Sequence, residues 1–153
     1  MSNSSVIYII DTSSLIELGH LYPLETPVFA IFWNRIKELV EEKRLISLSF
    51  VKEELKDDDV RDFFSDNSAF SVPFTEELQN TVKMILMKYP DMIRLRSSHS
   101  SNADPFLVAA AILEGYTIVT EEKLSRDFSI PNIASAFGVR TIGIAEFLQI
   151  EIF

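Results

Sequence analysis

Short apolar runs rich in β-branched residues alternate along the chain with longer stretches whose apolar positions recur every three or four residues. Residues 6–10 (VIYII), 45–49 (LISLS) and 116–120 (YTIVT) are runs of the first kind, with the length and content of strands buried on both faces of a sheet. Residues 139–142 (VRTI) read as a further strand. Of the second kind, TSSLIELG after Asp11 reads as a short helix with hydroxyls for N-caps and Gly19 as its stop. Thr26-Pro27 reads as N-cap and first residue of a helix reaching about Lys43, with Phe32, Trp33, Ile36, Leu39 and Val40 on one face. Such a stripe is core rather than cofactor surface. Thr75 is expected to cap a helix carrying Leu78, Val82, Ile85, Leu86 and Tyr89, stopped by Pro90. Residues 50–66 read as two short helices broken near Asp57, Asp58 and Asp59, a solvated turn. A polar stretch covers 94–102, and helices are expected at 103–114, ending at Gly115, at 131–137 and at 143–149.

Strands alternating with helices predict an α/β fold whose mostly parallel sheet is covered on both faces. At 153 residues the chain fits one domain, 1–153, able to bury roughly 70% of its unfolded surface. The helix-rich segment at about 57–102 reads as an insertion covering one side.

Charge and composition narrow the function. The chain is 47% hydrophobic and 24% charged, ordinary for a globular protein, with no acidic or basic tail. A net charge of −9 repels the nucleic acid backbone and argues against general DNA binding, leaving room for a local basic patch or for a metal ion that neutralises acids. Cysteine is absent, in keeping with a reducing compartment. MSNSSVIYII lacks a basic leader segment, and the longest later apolar run, residues 106–113, is far below the ~20 residues of a membrane span. A soluble, cytoplasmic protein is expected.

Connectivity brings four acids to one sheet edge. Asp11 and Glu122 follow apolar strand-like runs, and Glu54 and Asp104 lie near helix starts; crossover helices run antiparallel to their strands, so strand C-termini and helix N-termini share an edge. Each acid also has a bland reading: Asp11 as a helix cap, Asp104 before Pro105 as an N-cap, Glu54 in KEELKDDD as an exposed helix face, Glu121 and Glu122 as a solvated loop. The joint placement is what favours function. Two carboxylates ~5 Å apart repel by about 3 kcal/mol at an effective dielectric of ~20, so converging acids need protons or a cation. With no cysteine and only His20 and His99, the donors are hard oxygens suited to Mg²⁺ or Mn²⁺.

The strings DTSSLI at 11–16, VKEEL at 51–55, ADPFLVAAA at 103–111 and TIVTEE at 117–122 resemble, in order, the motifs of PIN-domain ribonucleases. The likeness runs from about Val6 to Leu148 and is closest to an uncharacterised PIN-like family of bacteria and archaea. It implies a Rossmann-like three-layer α/β/α fold and metal-dependent endoribonuclease activity. Asp11, Glu54, Asp104 and Glu122 match the catalytic acids, with Asp11, Asp104 and Glu122 as ligands of Mg²⁺ or Mn²⁺ and Ser13 and the strand-end Thr120 supporting the metal site. Many relatives are toxins held by an antitoxin, and many form homodimers, so RNA, an antitoxin and a second copy are the partners implied. The family's last acid is usually Asp; here Glu121 and Glu122 both follow Thr120, and Glu53 adjoins Glu54, so both pairs stay open. The segment between Asp57 and Asn102 does not match the compact toxins closely.

Arg94, Arg96 and His99, with Lys123 and Arg126, are candidate RNA phosphate contacts, against the reading of an exposed polar loop and turn. Two rival functions stand beside the nuclease: a catalytically silent PIN-like binding module whose acids remain as caps, and a phosphatase with Asp11 as covalent nucleophile, which would want a second Asp where the chain has Ser13.

Overall fold

A computed structural model of the chain describes residues 6–48, 63–64, 72–90, 104–121 and 129–153, with Thr12 and Asp104 placed by backbone only. Strands β1 (Tyr8–Ile10), β2 (Leu45–Ile46), β3 (Thr117–Val119) and β4 (Thr141–Ile142) form a parallel sheet in the order β2-β1-β3-β4. The paired segments are shorter than the apolar runs, because past each strand end the chain peels off toward a helix. Single bonds carry the alignment further: Asp11 N–H donates to Val119 O at 3.2 Å, Thr120 N–H to Ile142 O at 3.0 Å, and the Ser47 hydroxyl to Ile10 O at 2.6 Å.

The helices are α1 (Thr12–Leu21), α2 (Ala30–Glu41), α3 (Glu76–Lys88), α4 (Asp104–Glu114), α5 (Ile130–Ala136) and α6 (Ile144–Glu151). Right-handed crossovers place the α1–α2 connection on one face of such a sheet and the later ones on the other. The packing agrees. Arg35 of α2 reaches α6 through Glu151, whereas α4 lies on β1 and β3 with α3 and α5 beside it. All residues of β1 and β3 are consequently buried. Phe32, Trp33, Ile36, Leu39 and Val40, the predicted stripe of α2, are all buried, each contributing roughly 1.5–3 kcal/mol by leaving water.

Two of the boundaries that differ from those predicted have a local cause. Gly19 does not stop α1, which continues to Leu21. Its end is set by Pro23: the residue before a proline is pushed out of the helical region, and Tyr22 sits at φ −132°, ψ 74°. Tyr89 before Pro90 ends α3 the same way, at φ −131°, ψ 67°. Thr26-Pro27 opens a 3-10 turn (Pro27–Phe29) rather than the α-helix, which begins at Ala30; the Thr26 side chain makes no capping bond there. Thr75 caps α3 as predicted, accepting from Leu78 N–H at 3.1 Å. The helices expected within 50–66 and the polar stretch 94–102 fall outside the described residues, apart from Phe63 and Phe64; Phe63 packs edge to face with both Trp33 and Phe64.

The N-terminal edge of the sheet is closed by a buried ionic network. Glu151 at the end of α6 accepts from the Tyr8 hydroxyl at 2.7 Å and the Arg44 guanidinium at 2.7 Å, and pairs with Arg35 at 3.4 Å. Arg44 also donates to Val6 O. Burial, with Glu151 beside it, pushes the Tyr8 phenol well above its ordinary range. Removing one partner leaves a buried charge without its counter-ion, so Glu151→Ala should lower unfolding free energy by about 3 kcal/mol or more in urea titrations. Between α2 and β2, Lys43 holds a left-handed conformation, φ 61°, which costs a side-chain-bearing residue roughly 1–2 kcal/mol. Because glycine also gives up more freedom on folding, Lys43→Gly should raise stability by up to about 1 kcal/mol, read from the same denaturation midpoint.

Candidate functional site

The strand order reverses between β1 and β3: the connection leaving β1 goes to β2 on one side, that leaving β3 to β4 on the other. In open α/β sheets the crevice for ligands forms at the C-terminal ends of such a pair. Register decides what stands there. Ile10 lies opposite Val119, so the next residues on each strand, Asp11 and Thr120, come side by side.

Asp11 is held by three donors. The Thr120 hydroxyl donates to Oδ2 at 2.5 Å; Ser14 N–H at 2.9 Å and the Ser13 hydroxyl at 3.1 Å donate to Oδ1. The Ser14 bond makes Asp11 the N-cap of α1, with extended backbone at φ −89°, ψ 170°. The carboxylate is only 3% exposed, and burial pushes its pKa above the usual range despite the lowering effect of the hydrogen bonds from Thr120, Ser14 and Ser13. Among the described residues no lysine or arginine forms an ion pair with it. A buried carboxylate steadied by neutral donors and lacking a cation suits a hard divalent ion, which would offset its desolvation. Among the described residues no group of three acids or histidines that could hold such an ion is assembled.

Asp104 opens α4. That helix lies on β1 and β3 and turns into β3 through Gly115 at φ 76°, which points its N-terminal end to the Asp11 edge. Glu121 also lies at this edge, but its Oε2 accepts from the backbone N–H of Ile144 at 2.9 Å, in the first turn of α6. Glu53, Glu54, Glu122, Arg94, Arg96, His99, Lys123 and Arg126 lie outside the described residues. The sequence reading offered Asp11 as a helix cap, which it is, but did not name Ser14, whose N–H is the donor. A groove of about 490 Å³ lined by Glu76, Glu77, Asn80, Thr81, Met84 and Leu113 opens on the outer side of α3 and α4; it includes neither Asp11 nor Thr120.

Residues 8–153 match the family described as Domain of unknown function (DUF4411). The chain belongs to the DUF4411 family. No curated protein matches this DUF4411 chain. Among solved structures it is similar to a chain of VapBC2 from Rickettsia felis, a complex bound to a DNA fragment from its promoter, at 15% identity with a TM-score of 0.53, over 90% of this chain and 98% of that one. At that identity the likeness shows the fold, which is the PIN-like three-layer α/β/α arrangement. Among the described residues no helix is long and apolar enough to cross a membrane.

The raised Asp11 pKa makes stability depend on pH. The folded state holds this proton more tightly than the unfolded chain, whose carboxyl titrates near ~3.9. The favourable contribution is therefore complete below that value and is lost as pH rises through the raised folded pKa. In metal-free buffer with chelator, Asp11→Asn removes this loss, since an amide can accept from Ser14 and donate to Thr120. The variant's urea midpoint relative to wild type should climb as pH is raised from about 4 to 7.

Proposed function

We propose that the chain is a metal-dependent endoribonuclease acting on single-stranded RNA, the toxin of a toxin–antitoxin pair. The observation that carries the reading is the Asp11–Thr120 pair at the reversal of strand order, a buried carboxylate with hydroxyl and N–H donors and no cation beside it among the described residues. The ordered PIN motifs and the likeness of the fold to a chain of VapBC2 add support. On this reading Asp11, Asp104 and Glu122 hold Mg²⁺ or Mn²⁺. When bound, the ion lowers the pKa of a water and offsets charge developing on the phosphate.

The chain's own residues do the rest. Thr120, Ser13 and Ser14 fix the Asp11 carboxylate, so that no free energy goes into orienting it when the ion arrives. Glu54 binds a second ion or orients the attacking water. Water adds to phosphorus and gives up a proton as the 3′-oxygen leaves and takes one from solvent, giving a 5′-phosphate and a 3′-hydroxyl. Arg94, Arg96, His99, Lys123 and Arg126 contact backbone phosphates and offset locally a net charge of −9. An antitoxin and a second copy of the chain are the protein partners of this reading.

A second reading has its own observation. Asp11 caps α1 and Glu121 caps α6, so acids at this edge have structural work even in a catalytically silent binding module. Calorimetry with Mn²⁺ separates the two, because a silent module has no need of the ion.

Asp11→Asn should lower RNA cleavage by about a hundredfold or more while leaving the fold intact by circular dichroism; retained cleavage would remove the mechanism. Thr120→Val, which deletes the hydroxyl behind the carboxylate, should weaken Mn²⁺ binding by roughly 10–100-fold, whereas Thr120→Ser should keep it.

A further inference from the structure

Two glutamates follow β3, and the structure shows what the first of them does. Glu121 Oε2 accepts from Ile144 N–H at 2.9 Å. The N-cap of α6 is Gly143, which offers no side chain of its own to the helix end. Gly143 is not needed for its backbone freedom: φ −86°, ψ 175° is extended geometry open to any residue. Space is what is tight there, since a Cβ would stand 3.1 Å from Glu121 Oε2 and 4.0 Å from Thr120 O, and the carboxylate would have to shift to admit it. A bare residue and a carboxylate from another segment thus together replace an ordinary cap.

The preceding residue is tied as firmly. Thr120 N–H donates to Ile142 O at 3.0 Å and its hydroxyl to Asp11. Residues 120 and 121 therefore fasten the exit of β3 to β1, to β4 and to α6 at once. Thr120 turns to the Asp11 side and Glu121 to the α6 side, as alternation along an extended chain requires.

We propose that Glu121 is a positioning residue that clamps the exit of β3 to α6 and does not itself ligate the metal, leaving that role to Glu122. The inference rests on the nuclease reading for the site it serves. The clamp sets where the chain leaves the sheet beside Asp11, and loss of the clamp weakens Mn²⁺ binding at that edge.

The test combines amide exchange at Ile144, measured by NMR without metal, with Mn²⁺ calorimetry on the full chain. Glu121→Gln retains an acceptor oxygen and should keep Ile144 exchange and Mn²⁺ affinity within about threefold of wild type. Glu121→Ala should speed that exchange by about tenfold or more and weaken Mn²⁺ by roughly tenfold. Glu122→Gln should leave Ile144 exchange unchanged and lose Mn²⁺ by roughly 10–100-fold. Should Glu121→Ala fail to fold, Gly143→Ala, which crowds the same carboxylate, carries the exchange and binding arms. Three outcomes overturn the proposal: Glu121→Gln losing Mn²⁺ as severely as Glu122→Gln, Ile144 exchange indifferent to Glu121→Ala, or fast exchange with unchanged Mn²⁺ affinity. A wild-type chain that binds no Mn²⁺ removes the nuclease reading and the positioning role with it, while the contrast in exchange between the Gln and Ala variants would still show the clamp.

Discussion

Burying a carboxylate between two parallel strands is the constraint around which this edge of the molecule is arranged. A charge withdrawn from water must find donors, and the one-to-one register of β1 and β3 supplies the first by setting Thr120 beside Asp11. The start of α1 supplies the others, because a helix that begins immediately after a strand presents unpaired N–H groups at that point. The same few residues thereby end a strand, start a helix and hold an acid in one orientation.

The two edges of the sheet treat charge in opposite ways. At the N-terminal edge Glu151 is met by Arg44, Arg35 and Tyr8, so its charge is matched. At the C-terminal edge Asp11 meets hydroxyls and an amide and, among the described residues, no cation. An acid whose charge is already matched is part of the architecture. One without a counter-charge, at the edge where strand order reverses, is where a charged ligand would find a complement.

What could be read from the chain beforehand follows from how local each feature is. The apolar stripe of α2 and the Thr75 cap depend on neighbours three or four residues away, and both are found as the spacing implies. The order of strands and helices, and so the layered architecture, is equally a matter of alternation. Gly19 misled because glycine is tolerated inside a helix whose end is decided four residues later by Pro23. The Thr26-Pro27 pair signals a helical start without distinguishing a 3-10 turn from an α-helix. The bond between Glu121 and Ile144 was beyond local reading, since it depends on β3 and β4 lying side by side. The Glu151 network was out of reach for the same reason, as its partners are 107 and 143 positions away.

That last separation bears on how the protein comes into being. Tyr8 of β1 is made 143 positions before Glu151, for which its hydroxyl waits, so the sheet to which Asp11 belongs cannot close its far edge until α6 has emerged. Vectorial synthesis would then keep the sheet unfinished, and whatever the Asp11 edge does withheld, until that last described helix has left the translating machine.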